Sequence, residues 1–181
     1  MSKEHFESAY QETAPWDIPG RQPAFVGLEA TGMIRGSVLD AGCGTGENAL
    51  YLASRGHEVW GLDFIPVAIE GAKAKAKERG LGVDFQVGDA LKLDQLGRTF
   101  DTVIDCGLFH TFADEERPLY VSGLATVVRP GGSSTSFASA IRNRPVRDRG
   151  GSPSRRSVTP SVTAGRLPRS RKPGFRRRTT R

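Results

Sequence analysis

Residues 38–46 read Val-Leu-Asp-Ala-Gly-Cys-Gly-Thr-Gly, and this stretch decides the fold. Val38 and Leu39 belong to a short apolar run that is typical of a buried strand. Gly42, Gly44 and Gly46 then form a turn without side chains, where the backbone can approach a ligand closely. Residues 47–55 carry apolar side chains at helical spacing. The stretch therefore predicts a strand, a glycine turn and a helix whose N-terminal N–H groups face the turn.

The glycine spacing argues against a dinucleotide site. The dinucleotide-binding fingerprint is G-x-G-x-x-G, with the pyrophosphate at the helix N-terminus. Here Glu47 stands where the third glycine should be. Asp40, at the end of the strand, would also repel a pyrophosphate and suits a ligand that carries positive charge. An NAD-dependent oxidoreductase is therefore disfavoured, and an ordinary βα turn without a ligand is the alternative.

Alternating strand and helix patterns continue after this turn. We expect strands over residues 57–62, 83–87 and 100–106, and helices over residues 66–79 and 114–128, with a turn at residues 129–132. The continuous apolar centre of residues 100–106 is typical of a parallel sheet that is buried on both faces. The sequence thus predicts an α/β fold with a doubly wound sheet.

Acidic residues follow two of the predicted strands. Asp63 lies 17 residues after Gly46, close to where a Rossmann-like fold places the carboxylate that binds ribose hydroxyls. Phe64 is then suited to lie against an adenine. Helix capping by Asp63 and core packing by Phe64 are the alternatives, and capping is compatible with ribose binding. Asp89 follows the next strand, where it is either a ligand contact or a turn residue.

The motif D-A-G-C-G-T-G at residues 40–46, with Asp63 and Asp89 downstream, resembles class I S-adenosylmethionine-dependent methyltransferases. The segments F-D-x-V-x-D and L-x-x-V-x-R-P-G-G resemble the region around the fourth and fifth strands of that family. The resemblance covers residues 5–132. It implies a Rossmann-like, mostly parallel sheet with strand order 3-2-1-4-5-7-6, S-adenosyl-L-methionine as the cofactor, and methyl transfer to a small-molecule acceptor.

The resemblance also implies roles for individual residues. Asp40 and the glycine turn would hold the amino-acid end of the cofactor, Asp63 the ribose and Asp89 the adenine. The full set of expected cofactor-binding residues is Trp16, Asp40, Gly42, Cys43, Gly44, Gly46, Asp63, Phe64, Asp89, Ala90 and Asp105.

Residues 15–20, Pro-Trp-Asp-Ile-Pro-Gly, resemble the P-W-D-x-G segment of the thiopurine and thiol/halide methyltransferase branch. Pro19 is an insertion relative to that segment. The branch implies that Trp16 closes over the cofactor and that the acceptors are small thiols, halides or aromatic hydroxyls. A buried Trp16 in a packed loop is the competing interpretation.

The candidates for catalysis follow the strand at 100–106, because the ends of parallel strands meet at the ligand edge of an open sheet. His110 could accept a proton from a hydroxyl or thiol, or it could be structural. Asp105 is a second candidate, and its alternative role is to fix the backbone at the strand end. Cys106 is expected to pack in the interior, since direct methyl transfer needs no covalent enzyme intermediate.

Two cysteines in 181 residues give neither a disulfide framework nor a metal-binding pattern. Neither a signal peptide nor a membrane-spanning stretch is expected, so a cytoplasmic protein without membrane contact is the default. Charge divides the chain into two parts. Residues 1–132 hold 12 Lys and Arg against 19 Asp and Glu, a net charge of −7, whereas residues 133–181 hold 14 against one, a net charge of +13.

We therefore expect a methyltransferase domain over residues 1–132 and a disordered tail rich in Arg, Ser, Pro and Gly over residues 133–181. The segment SSTSFA at 133–138 looks too polar for a buried fifth strand. The tail is either a nucleic-acid-binding arm, a solvated extension or the product of a shifted reading frame. Nucleic-acid binding is not favoured, because Phe137 and Phe175 are its only aromatic residues.

The shifted frame is the favoured interpretation of the tail. The bases ATCCGTGACGCCTTCCGTGACGGCTGG encode IRDAFRDGW, which resembles a late helix of the family. Displaced by one base, they encode SVTPSVTAG, the sequence of residues 157–165. A one-base shift near codon 132 would thus have replaced the native C-terminus. A catalytically inactive, cofactor-binding remnant is accordingly a second hypothesis for the chain, beside an active enzyme.

Overall fold

The computed structural model describes Phe6, residues 8–10, Ala14 and residues 16–137, with side chains as far as Ser134. Five parallel strands form one sheet in the order β3-β2-β1-β4-β5. The strands are β1 (Ser37–Ala41), β2 (Glu58–Asp63), β3 (Val83–Val87), β4 (Phe100–Cys106) and β5 (Val128–Phe137). The order confirms the expected doubly wound α/β sheet. The expectation that the last strands of the family are missing or non-native in this chain concerns residues outside the described part.

Helices and short 3₁₀ turns connect the strands. The helices are α1 (Pro23–Ala30), α2 (Glu47–Ser54), α3 (Pro66–Arg79) and α4 (Arg117–Val127), and the 3₁₀ turns are η1 (Ala90–Leu96) and η2 (Leu108–Thr111). Helix α3 has the predicted bounds, with Pro66 in its first turn and Gly80 in the left-handed conformation after its last. No α-helix of the described chain is long and apolar enough to cross a membrane.

Helix α4 begins three residues later than predicted. The Glu116 side chain accepts a hydrogen bond from the Ala113 backbone N–H at 2.8 Å, which holds residues 113–116 in a turn. Pro118 then occupies the first helical turn, where its missing N–H carries no penalty.

Two apolar cores cover opposite faces of the sheet. Successive residues of a strand point to opposite faces, so Val38 packs with α2 and α3 whereas Leu39 packs with η1 and α4. All five residues of β1 are buried. Burial on both faces explains the continuous apolar character of the central strands.

The fifth strand corrects two expectations. Residues 129–132, predicted as a turn, lie within β5, and the strand continues through the polar residues 133–136 to Phe137. The register between β5 and β4 shifts between two neighbouring pairs. Val128 pairs with Phe100, whereas Ser133 pairs with Thr102. Ser133 is exposed and Ser134 half-buried, so backbone pairing forms this strand without the burial that the sequence argument required. Residues 138–181, which contain the rest of the predicted tail, lie outside the described residues.

Candidate functional site

Two adjoining cavities lie at the carboxyl edge of the sheet, where open α/β sheets bind ligands. Their volumes are about 330 and 460 Å³, in the range of small-molecule sites. Both are lined by Phe6, Gly42, Asp63, Phe64, Leu108 and Thr111. The first cavity extends over the glycine turn and the second towards β3 and η1. Together they form one groove, which we call the cradle.

The glycine turn forms the floor of the first cavity. Gly44 has φ +54°, and a side chain there would place its Cβ 2.8 Å from the Tyr10 hydroxyl oxygen. Gly46 has φ +85°, and its Cβ would lie 2.7 Å from the Phe85 ring. Both positions therefore require glycine for conformation and for space. The turn brings backbone to the cavity wall, as the spacing predicted.

Asp63 lies at the end of β2 on the wall between the two cavities. Its Oδ2 accepts a hydrogen bond from the Gly44 N–H at 2.8 Å, and its Oδ1 accepts one from the Ile65 N–H at 2.9 Å. Burial raises the pKa of this carboxyl, and the two backbone donors oppose the rise. Each oxygen keeps a further lone pair for a ligand hydroxyl. Asp63 thus lines both cavities, but it does not cap helix α3, whose N-cap is Ile65 without a side-chain cap.

Asp40 lies deeper than the sequence suggested. It is fully buried at the end of β1 and does not line either cavity. Within the described chain neither carboxylate oxygen accepts a hydrogen bond; the Ala49 N–H, which faces it, lies outside bonding geometry. Burial, reinforced by Asp105 and Asp63, raises the pKa of Asp40 to about 8. Asp40 lies outside the lining of both cavities, which does not fit the expected direct contact with a ligand, and a carboxyl with this pKa is largely protonated near neutral pH.

Asp105 also lies outside both cavities. Its carboxylate accepts hydrogen bonds from the Leu108 N–H at 2.8 Å, from the Phe109 N–H at 3.1 Å and from the Tyr120 hydroxyl at 3.1 Å. These contacts fix the loop after β4. The geometry therefore favours the alternative role of holding the backbone over the catalytic and cofactor-binding roles.

The second cavity contains the residues expected around an adenine. Phe64, Asp89 and Ala90 all line it. Asp89 Oδ1 accepts a hydrogen bond from the Leu91 N–H at 2.9 Å and so caps η1. About half of the Asp89 side chain is exposed (47%), which leaves its second oxygen accessible from the cavity.

The far end of the first cavity is formed by the loop after β4. Cys106, Leu108, His110 and Thr111 line it. His110 is exposed and lies edge-on to Phe109, with 5.7 Å between ring centroids. Burial raises the pKa of Cys106 to about 12 and that of Cys43 well above its ordinary value. Both thiols are therefore protonated near neutral pH and are poor nucleophiles.

The N-terminal segment contributes residues that sequence reasoning missed. Trp16 lines the first cavity as predicted, but so do Tyr10 and Asp17. The Thr45 hydroxyl donates to the Asp17 carboxylate and accepts from Lys75 Nζ at 2.7 Å. Asp17 adjoins Trp16 in the quoted P-W-D segment, and that motif was the available signal for it. Tyr10 carried no such signal.

The cradle is acidic. Asp17, Glu47 and Asp63 line the first cavity, whereas no lysine or arginine among the described residues does. Glu47 is balanced in part by Lys75 at 3.0 Å and Arg79 at 2.9 Å, and the largely protonated Asp40 beneath the turn adds little charge. The acidic lining fits a ligand that carries positive charge and disfavours a pyrophosphate. The arrangement agrees with the argument from Glu47 in the sequence.

Residues 38–132, which contain the glycine turn, Asp63 and Asp89, match the family described as methyltransferase domain. The chain belongs to that family. This methyltransferase domain is 42% identical over 135 residues to the 2-heptyl-1-hydroxyquinolin-4(1H)-one methyltransferase of Mycobacteroides abscessus, covering 70% of this chain and 60% of that protein.

Solved structures agree with this assignment. A protein studied for the conversion of a disulfide bond into a thioacetal group during echinomycin biosynthesis superposes with a TM-score of 0.71 at 47% identity, covering 75% of this chain and 61% of that one. Magnesium protoporphyrin IX methyltransferase from Synechocystis, solved with bound SAM, gives a TM-score of 0.55 at 30% identity, covering 63% and 54%. The chain thus spans about 60% of the length of the Mycobacteroides abscessus protein and of the echinomycin-biosynthesis protein. The thiopurine and thiol/halide branch stays a prediction.

Proposed function

We propose that this chain binds S-adenosylmethionine in the cradle and transfers its methyl group to a small-molecule nucleophile. The acidic lining carries the proposal, since this cofactor brings an ammonium and a sulfonium and no phosphate. Asp17, Glu47 and Asp63 line the first cavity. The relative with bound SAM, at 30% identity, supports the same ligand.

Each part of the cofactor has residues along the cradle that suit it. The turn at residues 42–46 would hold the amino-acid end, and Asp63 would accept hydrogen bonds from the ribose hydroxyls. Phe64, Asp89 and Ala90 in the second cavity would hold the adenine. Cys106 and Leu108, which line the first cavity, would form the wall on the sulfonium side.

The cofactor supplies an already activated methyl group, so the work left to the protein is alignment. Asp105 fixes the Leu108 and Phe109 backbone through hydrogen bonds of 2.8 and 3.1 Å. These hydrogen bonds hold the loop after β4, which lines the part of the cavity meant for the methyl acceptor, in one conformation. Positioning of this kind can contribute about 7–11 kcal/mol to a reaction barrier.

Among thiols, halides and aromatic hydroxyls, we propose an aromatic hydroxyl as the acceptor. Phe6, Tyr10, Trp16 and His110 all line the first cavity, which offers apolar walls to a flat ring and a base to its hydroxyl. The relative from Mycobacteroides abscessus acts on a hydroxyquinolinone, a flat heteroaromatic molecule whose hydroxyl is on the ring nitrogen. His110 would accept the hydroxyl proton as the methyl group arrives.

Incubation with S-adenosylmethionine and a matched panel of acceptors tests the proposal. The panel contains a hydroxyquinolinone, a simple aromatic thiol and iodide, and mass spectrometry detects the methylated products. We expect the hydroxyquinolinone to be methylated fastest. His110→Ala should lower kcat about 100-fold or more and leave cofactor affinity unchanged. Cofactor binding without methylation of any acceptor would favour the inactive remnant.

A further inference from the structure

Tyr10 stands over the centre of the glycine turn. Its ring lies edge-on to Trp16 with 6.1 Å between centroids, and its hydroxyl oxygen accepts a hydrogen bond from Trp16 Nε1 at 3.2 Å. A Cβ built on Gly44 would lie 2.8 Å from that oxygen. The hydroxyl therefore occupies the space directly above Gly44, inside the first cavity.

The turn itself has few donors left for a ligand. Four of its five N–H groups donate to protein acceptors. Gly42 and Cys43 donate to the Leu62 carbonyl, Gly44 donates to Asp63, and Gly46 donates to the Cys43 carbonyl, at 2.8 to 3.0 Å. An anionic group bound over this turn needs donors from another part of the chain.

The nearby charged side chains do not supply such a donor. Asp17, Glu47 and Asp63 are acceptors when ionised. Lys75 Nζ lies 3.0 Å from Glu47 and 2.7 Å from the Thr45 hydroxyl, so its charge is already paired. The Thr45 N–H and the side-chain amides of Gln22 and Asn48 are neutral donors of the same cavity, and the Tyr10 hydroxyl is the neutral donor that stands over Gly44.

The hydroxyl proton of Tyr10 is available for a hydrogen bond to a ligand. The hydroxyl oxygen is the acceptor in its bond with Trp16, and no protein atom of the described chain accepts its proton. Burial, followed by the charge of Asp63, raises the pKa of Tyr10. The phenol therefore stays protonated throughout the physiological range and keeps its donor.

We propose that Tyr10 is a cofactor-binding residue whose hydroxyl donates a hydrogen bond to the carboxylate at the amino-acid end of S-adenosylmethionine. The inference rests on the proposed function. The carboxylate is the anionic part of that ligand, and the ribose hydroxyls are matched by the Asp63 carboxylate instead. A neutral donor among acidic residues lets one cavity hold a carboxylate beside two cationic groups.

Calorimetry with two ligands tests this role. S-adenosylhomocysteine carries the amino-acid end, whereas 5′-methylthioadenosine has the same adenosyl thioether without it. Tyr10→Phe should weaken binding of S-adenosylhomocysteine about tenfold or more, as expected for a hydrogen bond to a charged group. It should leave binding of 5′-methylthioadenosine within about twofold. Tyr51→Phe, which removes a hydroxyl that contacts Glu29 outside both cavities, is the matched control and should change neither.

Equal weakening of both ligands by Tyr10→Phe would overturn the inference, since it would indicate a general loosening of the segment. An unchanged affinity for S-adenosylhomocysteine would overturn it as well. A wild-type chain that binds neither ligand would instead contradict the proposed function itself, so the two failures are distinguishable.

Discussion

The Asp63 carboxylate accepts a hydrogen bond from the Gly44 backbone N–H at 2.8 Å, which ties the end of β2 to the glycine turn after β1. The same carboxylate faces both cavities of the cradle. One side chain therefore shapes the turn and presents acceptors to a ligand.

Asp63→Asn should weaken cofactor binding about tenfold or more. An amide in place of the carboxylate removes the charge and sets an N–H₂ donor against backbone donors or ligand hydroxyls. Because the ribose is common to both, S-adenosylhomocysteine and 5′-methylthioadenosine should be weakened alike, unlike the effect expected of Tyr10→Phe. Calorimetric titration measures both. Asp84→Asn, at an exposed position on β3, is the control, and an equal loss there would contradict the assignment.

Asp40→Asn should stabilise the protein increasingly as the pH rises. The pKa of Asp40 is raised to about 8 in the folded protein, above its value of about 3.9 in an unfolded chain. The folded state therefore holds the proton more tightly, and this contribution to stability is lost between about pH 4 and pH 8. The amide has no proton to lose. Melting temperatures at pH 5, 7 and 8.5 should show a variant-minus-wild-type difference that grows with pH; a constant difference would contradict the burial argument.

Tyr120→Phe should lower the free energy of unfolding by about 1.5–3 kcal/mol, the range for a buried hydrogen bond to a charged group. The Tyr120 hydroxyl donates to Asp105 at 3.1 Å in the interior. Urea denaturation measures the loss. Tyr51→Phe removes a hydroxyl at a half-buried surface position and should cost less than about 1 kcal/mol. Equal losses in the two variants would show that the buried hydrogen bond to Asp105 contributes no more to the free energy of unfolding than the half-buried one to Glu29.

Gly46→Ala should destabilise the protein by about 2–4 kcal/mol, because strain at positive φ and a steric clash combine. The added Cβ would lie 2.7 Å from Phe85 and 2.9 Å from Ala72. Gly80→Ala isolates the conformational part, since Gly80 has φ +63° with no atom within 4 Å of its Cβ. It should cost about 1–2 kcal/mol. Matching losses in urea denaturation would mean that the turn relaxes around the methyl group.

Local spacing was sufficient for much of the fold and for part of the site. The glycine turn and Asp63 follow from short-range patterns, since each βα unit is nearly continuous in sequence, whereas the order of the five strands followed from the resemblance to the methyltransferase family. Asp40 was placed at the correct strand end, but its depth depends on the helices and the turn packed over it, which no local pattern encodes. Tyr10 reaches Gly44 from 34 residues away along the chain, and its place depends on tertiary packing.

The polar fifth strand shows a different limit. The sequence argument assumed that a strand beside β4 must be apolar. Ser133 pairs with Thr102 and Ser134 with Val103 while remaining exposed and half-buried. Backbone hydrogen bonds can pair two strands whatever side chains they carry. The polarity of Ser133 and Ser134 therefore indicated correctly that they are not fully buried, but it did not exclude a strand.

The central claim is that the cradle binds S-adenosylmethionine, and isothermal titration of the purified chain with S-adenosylmethionine tests it most directly. We predict one site per chain, with a dissociation constant between about 1 μM and 1 mM, the range common for enzyme substrates. Asp63→Asn should weaken that binding. Absence of heat at millimolar cofactor, from a chain shown to be folded by a cooperative melting transition, would contradict the account.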